Sequence, residues 1–192
     1  MKYTTPTLES RRLILKRGTY EDFVKVYEYD FTRLRNIAGE FEFVKYNPER
    51  LRGFETYADE EDNVLDFIIF KNDDNTPIGN VTFDRYKEDN KSIEVSINVH
   101  PDYWGEDYAT EAMLCAMEYI FNNLDVDNII YGYAKDNFKS GGLCDKLGFE
   151  FYDEYVAHYT RIDKDVETVR CIMDKDRFRI VAAEKLQQIR KS

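Results

Sequence analysis

The chain has 192 residues, of which 43% are hydrophobic and 15% aromatic, enough apolar material for one domain with a substantial core and too much for a disordered chain. Its 38 acidic and 27 basic residues give a formal net charge of −11, which disfavours nucleic acid and anionic membranes and favours cationic partners. Three cysteines without CxxC spacing argue against a disulfide framework and a metal cluster, and no signal peptide or membrane-spanning run is visible, so we expect a cytoplasmic protein.

The first half of the chain predicts a strand, helices and a meander. A strand over 11–17 is followed by a helix over 19–30 that begins at a favourable cap, Thr19. Residues 31–62 fit a second helix and a charged loop. Three strands then follow in an antiparallel meander: 64–70, 77–86 and 92–100.

The second half alternates helices and strands. A helix over 108–124 leads to a buried strand over 128–134, so the strands before and after this helix should be parallel neighbours. A short helix over 137–149 ends in a Gly148 cap. Two strands and an amphipathic helix complete the order: 151–162, 166–174 and 177–190. We therefore expect one domain over 1–176 and a terminal helix, 177–192, packed on the domain or on a second subunit of a homodimer.

The stretch YWGEDYATEA (103–112) predicts a loop that leads into a helix beginning near Asp107. The first amides of a helix have no intrahelical acceptor, and with the helix dipole they form a seat for a diphosphate. Gly105 lets the backbone approach such a ligand closely. Glu106 and Asp107 instead carry negative charge at the bend, and Asp107 is also a favourable helix cap. The stretch fits either a phosphate cradle or a well-capped helix that binds nothing.

Four segments carry a family pattern in the right order: LESRRLILKRGTYEDF (8–23), PIGNV (77–81), IEVSINVHPDYWGEDYATEA (93–112) and NFKSGGLCDKLGF (137–149). Together they resemble the GNAT N-acetyltransferase superfamily, and most of all the branch of ribosomal-protein N-terminal and small-molecule amine acetyltransferases. The resemblance spans roughly 8–178. It implies an α/β (α+β) fold with a mixed, mostly antiparallel sheet of about seven strands flanked by helices.

The resemblance also implies an acetyl-CoA site in a gap between strands 92–100 and 128–134. It places the pantetheine beside the backbone of Ile97 and Val99. It places the diphosphate against the amides of six consecutive residues: Gly105, Glu106, Asp107, Tyr108, Ala109 and Thr110. On the second cofactor helix, Asn137 and Ser140 match positions that contact the pantetheine arm and the nucleotide end.

This chain departs from the family pattern at the turn itself. The family loop usually has a second glycine or an alanine where this chain has Asp107. Losing that residue restricts the backbone, and the two carboxylates add repulsion near a diphosphate. Acids at a helix start are nevertheless favoured by the helix dipole.

Direct acetyl transfer to an amine needs a base for the ammonium, a donor for the thioester carbonyl and an acid for the leaving thiolate. The resemblance assigns the base to Glu94, and strand alternation places Glu94, Ser96 and Asn98 on one face. A solvated glutamate on a half-exposed strand is the alternative. A second family base, on the next strand, falls on Gly132, and its role cannot be carried over.

The general acid of the family, a tyrosine, falls on Cys144 here. A thiol can donate a proton to a leaving thiolate because the two have similar reference pKa values. Buried cysteines are more often inert packing residues, which is the alternative. Tyr131, Tyr133 and Tyr152 are stand-ins among which the sequence does not choose.

The sequence therefore predicts an N-acetyltransferase that moves an acetyl group from acetyl-CoA to a primary amine by direct attack. The expected acceptor is a small-molecule amine or a peptide N-terminus. The alternative is a non-catalytic CoA-binding or interaction domain that kept the fold. No nucleic acid, membrane or metal is expected to take part.

Overall fold

The computed structural model describes residues 3–29, 64–86, 91–159 and 163–190. The predicted helix and charged loop over 31–62 lie outside these described residues. Within the described ranges, no helix is long and apolar enough to cross a membrane.

Eight strands form one sheet: β1 (Leu8–Glu9), β2 (Leu13–Lys16), β3 (Leu65–Lys71), β4 (Pro77–Arg85), β5 (Ser92–Val99), β6 (Asn128–Ala134), β7 (Glu150–Tyr159) and β8 (Lys164–Asp174). Their order across the sheet is β1-β2-β3-β4-β5-β6-β8-β7. Every neighbouring pair is antiparallel except β5 and β6, which are parallel. The predicted mixed, mostly antiparallel sheet is confirmed. Its additional strand is β1, whose two residues are too short to show alternation in the sequence.

Four helices are described: α1 (Tyr20–Tyr27), α2 (Tyr108–Asn123), α3 (Phe138–Leu147) and α4 (Lys175–Arg190). The start of α1 follows the predicted cap, because the Thr19 side chain accepts from the backbone N–H of Asp22 and the Asp22 carboxylate accepts from that of Thr19. A short 3₁₀ turn, Pro101–Tyr103, joins β5 to the loop before α2.

The parallel ladder between β5 and β6 covers only part of the two strands. It runs from Ser92 opposite Asn128 to Val95 opposite Tyr131. Beyond that point β5 continues to Val99, still paired with β4, and β6 continues to Ala134, paired with β8. The two strands therefore part from one another, and the gap predicted between them is present.

The two faces of the sheet are covered differently. On one face the main core packs α2, α3 and α4 against apolar strand residues such as Phe67, Val81 and Val95. On the other face α1 packs Phe23 and Val26 onto β3. We call these the cofactor face and the acceptor face, after the roles argued below.

The last helix, α4, packs on the domain through α2. The rings of Phe178 and Phe121 lie 5.2 Å apart, and Ala182 is fully buried. The helix begins directly after β8, which explains why it starts at Lys175, two residues before the predicted position.

Candidate functional site

The loop between β5 and α2 is shaped by two residues with positive φ. Trp104 is held at its start, since the indole Nε1 donates to the carbonyl of Val99 at 2.7 Å. Gly105 then takes φ +88° and Asp107 takes φ +63°, the left-handed region that favours glycine. Asp107 is one of the few other residue types that tolerate this region, so the chain turns into α2 without the second glycine.

The first turn of α2 is braced by the link between β1 and β2. Glu111 is only 3% exposed, and its carboxylate accepts from Ser10 Oγ at 2.8 Å and from Arg12 N and Nε at 2.8 and 2.7 Å. Arg12 also donates through Nη1 to the carbonyl of Glu106 at 3.0 Å and covers the Tyr108 ring. One arginine thus fixes both the loop and the helix start.

A cleft of about 310 Å³ opens where β5 and β6 part, between the start of α2 and one side of α3. Its volume is at the lower end of the range for small-molecule sites. Nine of the ten residues predicted to bind cofactor line it: Ile97, Val99, Gly105, Asp107, Tyr108, Ala109, Thr110, Asn137 and Ser140. The tenth, Glu106, is exposed and is not part of the lining.

The expectation that the Asp107 side chain caps α2 is wrong. Asp107 occupies the cap position, but its left-handed backbone leaves the carboxylate without a capping hydrogen bond. The carboxylate instead forms an ion pair with Lys146 of α3. Among the described residues that line the cleft, two lysines (139 and 146) and this one aspartate leave a net positive charge of one. The acidic turn is therefore offset locally, although the chain as a whole is strongly negative.

The residues of the cleft fit a phosphopantetheine thioester. The side-chain nitrogen of Asn98 is buried and has no hydrogen-bond partner in the described part of the chain, and Asn98 lines the cleft. Gly105 and Gly142 also line it, and a methyl group added to either would meet nothing within 4 Å. Open backbone, an unused N–H donor and cationic side chains are what such a ligand requires.

The structure does not bring Cys144 to the cleft. Its side chain is 1% exposed, lies in the main core and is not part of the lining. A hydrogen bond with Cys171 and burial raise the pKa of the Cys144 thiol. The structure therefore favours the alternative, a packing cysteine, because this side of α3 faces the main core.

Of the three stand-in tyrosines, only Tyr131 lines the cleft. Burial raises its pKa to about 12, and its hydroxyl is hydrogen-bonded to Ser140. Tyr133 is half-buried, with its ring beside Gly141, and Tyr152 is exposed on the edge strand β7. The Tyr131 hydroxyl therefore stays protonated in the cleft at neutral pH.

Glu94 lies on the acceptor face, where the seam between β5 and β6 is still paired. It is exposed, and Ile130 is its partner on β6. A methyl group built on Gly132 would lie 3.5 Å from a carboxylate oxygen of Glu94. The carboxylate therefore reaches over the space that a side chain at position 132 would fill, which is where the resemblance placed the second family base.

The sequence interpretation missed several residues of the lining, among them Asn98, Trp104, Lys139 and Lys146. The two lysines had a signal, because positions 139, 142, 143 and 146 follow helical spacing and share a face of α3. Asn98 and Trp104 had none, because their positions depend on where β5 leaves β6. Within the described ranges, no group of three or more metal-ligating side chains is positioned to hold a metal ion.

Comparison with known proteins agrees with this geometry. A family model described as Acetyltransferase (GNAT) domain matches residues 12–150. The Uncharacterized N-acetyltransferase YnaD of Bacillus subtilis (strain 168) is 26% identical to this chain over 170 residues. The match covers 77% of this chain and 93% of that protein.

Two solved structures share the fold. A GCN5-related N-acetyltransferase from Brucella melitensis has a TM-score of 0.76 at 18% identity, covering 98% of this chain and 86% of the other. An acetyltransferase (GNAT family) from Bacillus anthracis has a TM-score of 0.70 at 17% identity, covering 89% of this chain and 99% of the other.

Proposed function

The chain belongs to the GNAT acetyltransferase family, and from this premise we propose that it transfers an acetyl group from acetyl-CoA to a primary amine by direct attack. The acceptor is a small-molecule amine or a peptide N-terminus, in keeping with the formal net charge of −11. Acetyl-CoA supplies the activated acyl group. The residues of this chain bind it, orient it and move the protons.

One observation carries the proposal: the Glu94 carboxylate lies over Gly132, one residue before the point where β5 and β6 part. A base on the acceptor face and a cleft on the cofactor face thus meet at the gap. An amine that approaches from the acceptor face gives its proton to Glu94 and attacks the thioester through the gap. No covalent attachment to the protein is needed.

Two further groups complete the proton and charge transfers. The Nδ2 of Asn98, which has no partner among the described residues and shares the acceptor face with Glu94, donates through the gap to the carbonyl of the thioester, whose oxygen gains charge during attack. The Tyr131 hydroxyl, whose pKa is raised to about 12 by burial, stays protonated and donates to the departing sulfur. At such a pKa the group stabilises the departing thiolate through a hydrogen bond, and the thiolate takes its proton from water.

The binding part rests on main-chain groups. The amides of the first turn of α2 hold the diphosphate, helped by the helix dipole and by the open face of Gly105. Ile97 and Val99, which lie beyond the end of the ladder between β5 and β6, lie along the pantetheine. The site in this proposal has the nine lining residues named above and leaves Glu106 out.

A second candidate is a CoA-binding domain without catalysis. It is favoured by one observation, the exclusion of Cys144 from the cleft, since the position that carries the family's acid here carries a packing residue. The two candidates share the cofactor site and differ only in turnover.

The test is thiol release from acetyl-CoA in the presence of a panel of polyamines, aminoglycosides, amino acids and basic peptides. We expect turnover with at least one amine, and Glu94→Gln should lower kcat about 100-fold or more, the usual range for loss of a general base. Glu184→Gln, the same change at an exposed glutamate of α4, is the control and should leave kcat unchanged.

A carboxylate exchange sharpens this test. Glu94→Ala combined with Gly132→Glu returns a carboxylate to the same space from the neighbouring strand, and should recover at least tenfold of the lost rate. Turnover unaffected by Glu94→Gln overturns the assignment of the base. Binding of CoA without thiol release for any amine favours the non-catalytic domain.

A further inference from the structure

We propose that the ion pair between Asp107 and Lys146 is an internal stand-in for the diphosphate of acetyl-CoA, and that the diphosphate displaces Asp107 from Lys146 when it binds. The inference rests on the proposed acetyl-CoA site and assigns it an internal competitor for the diphosphate. A ligand that carries the diphosphate can make this exchange, whereas the pantetheine part alone leaves the pair in place.

The pair spans the cleft. Asp107 belongs to the wall formed by the loop before α2, Lys146 belongs to the wall formed by α3, and both line the cavity. Their side chains are 62% and 45% exposed. An ion pair that is this exposed contributes little stability and is readily exchanged for another partner.

A second lysine makes a parallel connection between the same two walls. The Nζ of Lys139 lies 4.8 Å from the centre of the Trp104 ring. Lys139 and Lys146 are two helical turns apart on one face of α3, and each touches the loop that faces it. Cation–π contacts at exposed sites are also weak, so both lysines can be redirected to an anion that enters between the walls.

The backbone of Asp107 explains why its carboxylate pairs with Lys146 of α3 and makes no capping hydrogen bond to α2. In the left-handed conformation the side chain makes no hydrogen bond to the helix start. The amides of the first turn of α2 therefore remain available to a ligand while the carboxylate holds Lys146 nearby. A diphosphate on those amides would compete with Asp107 for the same ammonium group, since the charge of the ligand is larger than that of one carboxylate.

The consequence is a cleft whose own carboxylate competes with the phosphate end of the ligand and leaves the pantetheine part unaffected. The exchange lowers the affinity for CoA, because the ligand must first separate a formed pair. The ion pair also keeps Lys146 oriented towards the cavity when no ligand is present.

The experiment measures the binding of coenzyme A and of pantetheine by calorimetry and by tryptophan fluorescence. Trp104 is the single tryptophan of the chain and lines the cleft, so its emission reports the occupant directly. The variants are Asp107→Asn, Lys146→Gln and the double variant. Asparagine tolerates the left-handed backbone as aspartate does, so the first change removes charge without altering the turn.

We expect Asp107→Asn to tighten CoA binding about two- to fivefold, the range that corresponds to the loss of an exposed ion pair. Pantetheine binding should stay the same. Lys146→Gln should weaken CoA binding about tenfold in the Asp107→Asn background, where the lysine is fully available, and less than threefold in the wild type. This coupling is the signature of exchange.

The matched control is Lys91→Gln, which breaks another exposed lysine–aspartate pair, Lys91–Asp125 at 2.6 Å, away from the cleft. It should change neither affinity. Equal effects of Lys146→Gln in the two backgrounds, or equal gains for CoA and pantetheine in Asp107→Asn, overturn the exchange. If the wild type and every variant fail to bind CoA, the proposed function itself has failed, which is a distinct result.

Discussion

The two faces of the sheet carry different kinds of groups around the gap between β5 and β6. On the cofactor face the cleft is lined by glycine, apolar, aromatic and neutral polar residues, and its charged residues are two lysines and one aspartate. On the acceptor face charged side chains form pairs, as Arg17 does with Asp66 at 3.2 Å and Arg170 with Asp153. The cofactor face therefore depends on backbone shape, and the acceptor face depends on side-chain charge.

This difference follows from the register of the strands. Asp66, Thr82 and Ser96 lie opposite one another on successive strands, so their side chains share the acceptor face. Phe67, Val81 and Ile97 share the cofactor face in the same way. Substitutions on one face should thus change charge-dependent properties, and substitutions on the other should change the binding of the cofactor.

The largest expected effect concerns the charge of Asp66 on the acceptor face. Burial raises its pKa to about 6, against the opposing influence of the Thr82 hydroxyl, which donates at 2.6 Å, and of Arg17. Between pH 4 and pH 6 the folded state therefore binds more protons than the unfolded state, and the free energy of unfolding falls as the pH rises. This decrease in the free energy of unfolding amounts to roughly 2–3 kcal/mol, and Asp66→Asn should remove it.

Urea unfolding of the wild type and of Asp66→Asn at pH 4, 5, 6 and 7 measures this difference. Asp74→Asn is a control of opposite sign, because hydrogen bonds from Thr76 lower the pKa of the exposed Asp74 to about 2. Its effect on stability should be constant between pH 5 and pH 7, because the stabilisation that comes with the lowered pKa of Asp74 is lost only as the pH falls below 4. A constant offset between wild type and Asp66→Asn across the series contradicts the role of burial.

The next effect concerns Tyr131, a side chain of the cofactor face that is proposed to act in the reaction. Tyr131→Phe removes the hydroxyl that lies in the cleft beside Ser140. We expect kcat to fall about tenfold, the loss of one hydrogen bond to a charged group, with the KM for acetyl-CoA little changed. Tyr133→Phe, on the same strand but outside the lining, is the matched control. A rise in KM with unchanged kcat would make Tyr131 a binding residue.

The smallest effect concerns backbone shape at the turn. Gly105 has φ +88°, so Gly105→Ala should cost about 1 kcal/mol of stability and weaken CoA binding severalfold. Gly142→Ala adds a methyl group to the same cleft from within α3, where it meets nothing within 4 Å. That control should stabilise the helix by up to about 1 kcal/mol. An equal change of stability in the two variants would show that conformation at the turn is unimportant.

Local sequence patterns predicted much of the fold because the hydrogen bonds behind them form within a few residues and need no distant segment. Thr19 caps α1 and Gly148 ends α3 in the left-handed conformation, as expected from hydrogen bonding within a few residues. The helix between two buried strands predicted the parallel pair β5–β6, since a crossover returns to the same sheet. The two-residue β1 was not predictable, because it exists only by pairing with β2.

The site was predictable where the main chain builds it and less so where side chains do. Five of the nine predicted residues that line the cleft, Gly105 and residues 107–110, come from the loop and helix start, which are continuous in sequence. Cys144 was misplaced as an acid because one pattern fits both a packing residue and a cleft residue on α3. Lys146 could not be matched to Asp107 from 39 residues away in sequence.

The sequence alone determined the order of elements, the turn that opens into α2 and the alternation that separates Glu94 from Val95, since these follow from periodicity and local hydrogen bonding. Only the tertiary structure decided where β5 leaves β6, that Glu94 reaches over Gly132 and that Lys146 neutralises the acid at the turn. Contacts between distant segments depend on how the sheet and helices pack together, and no local pattern in the chain encodes that packing.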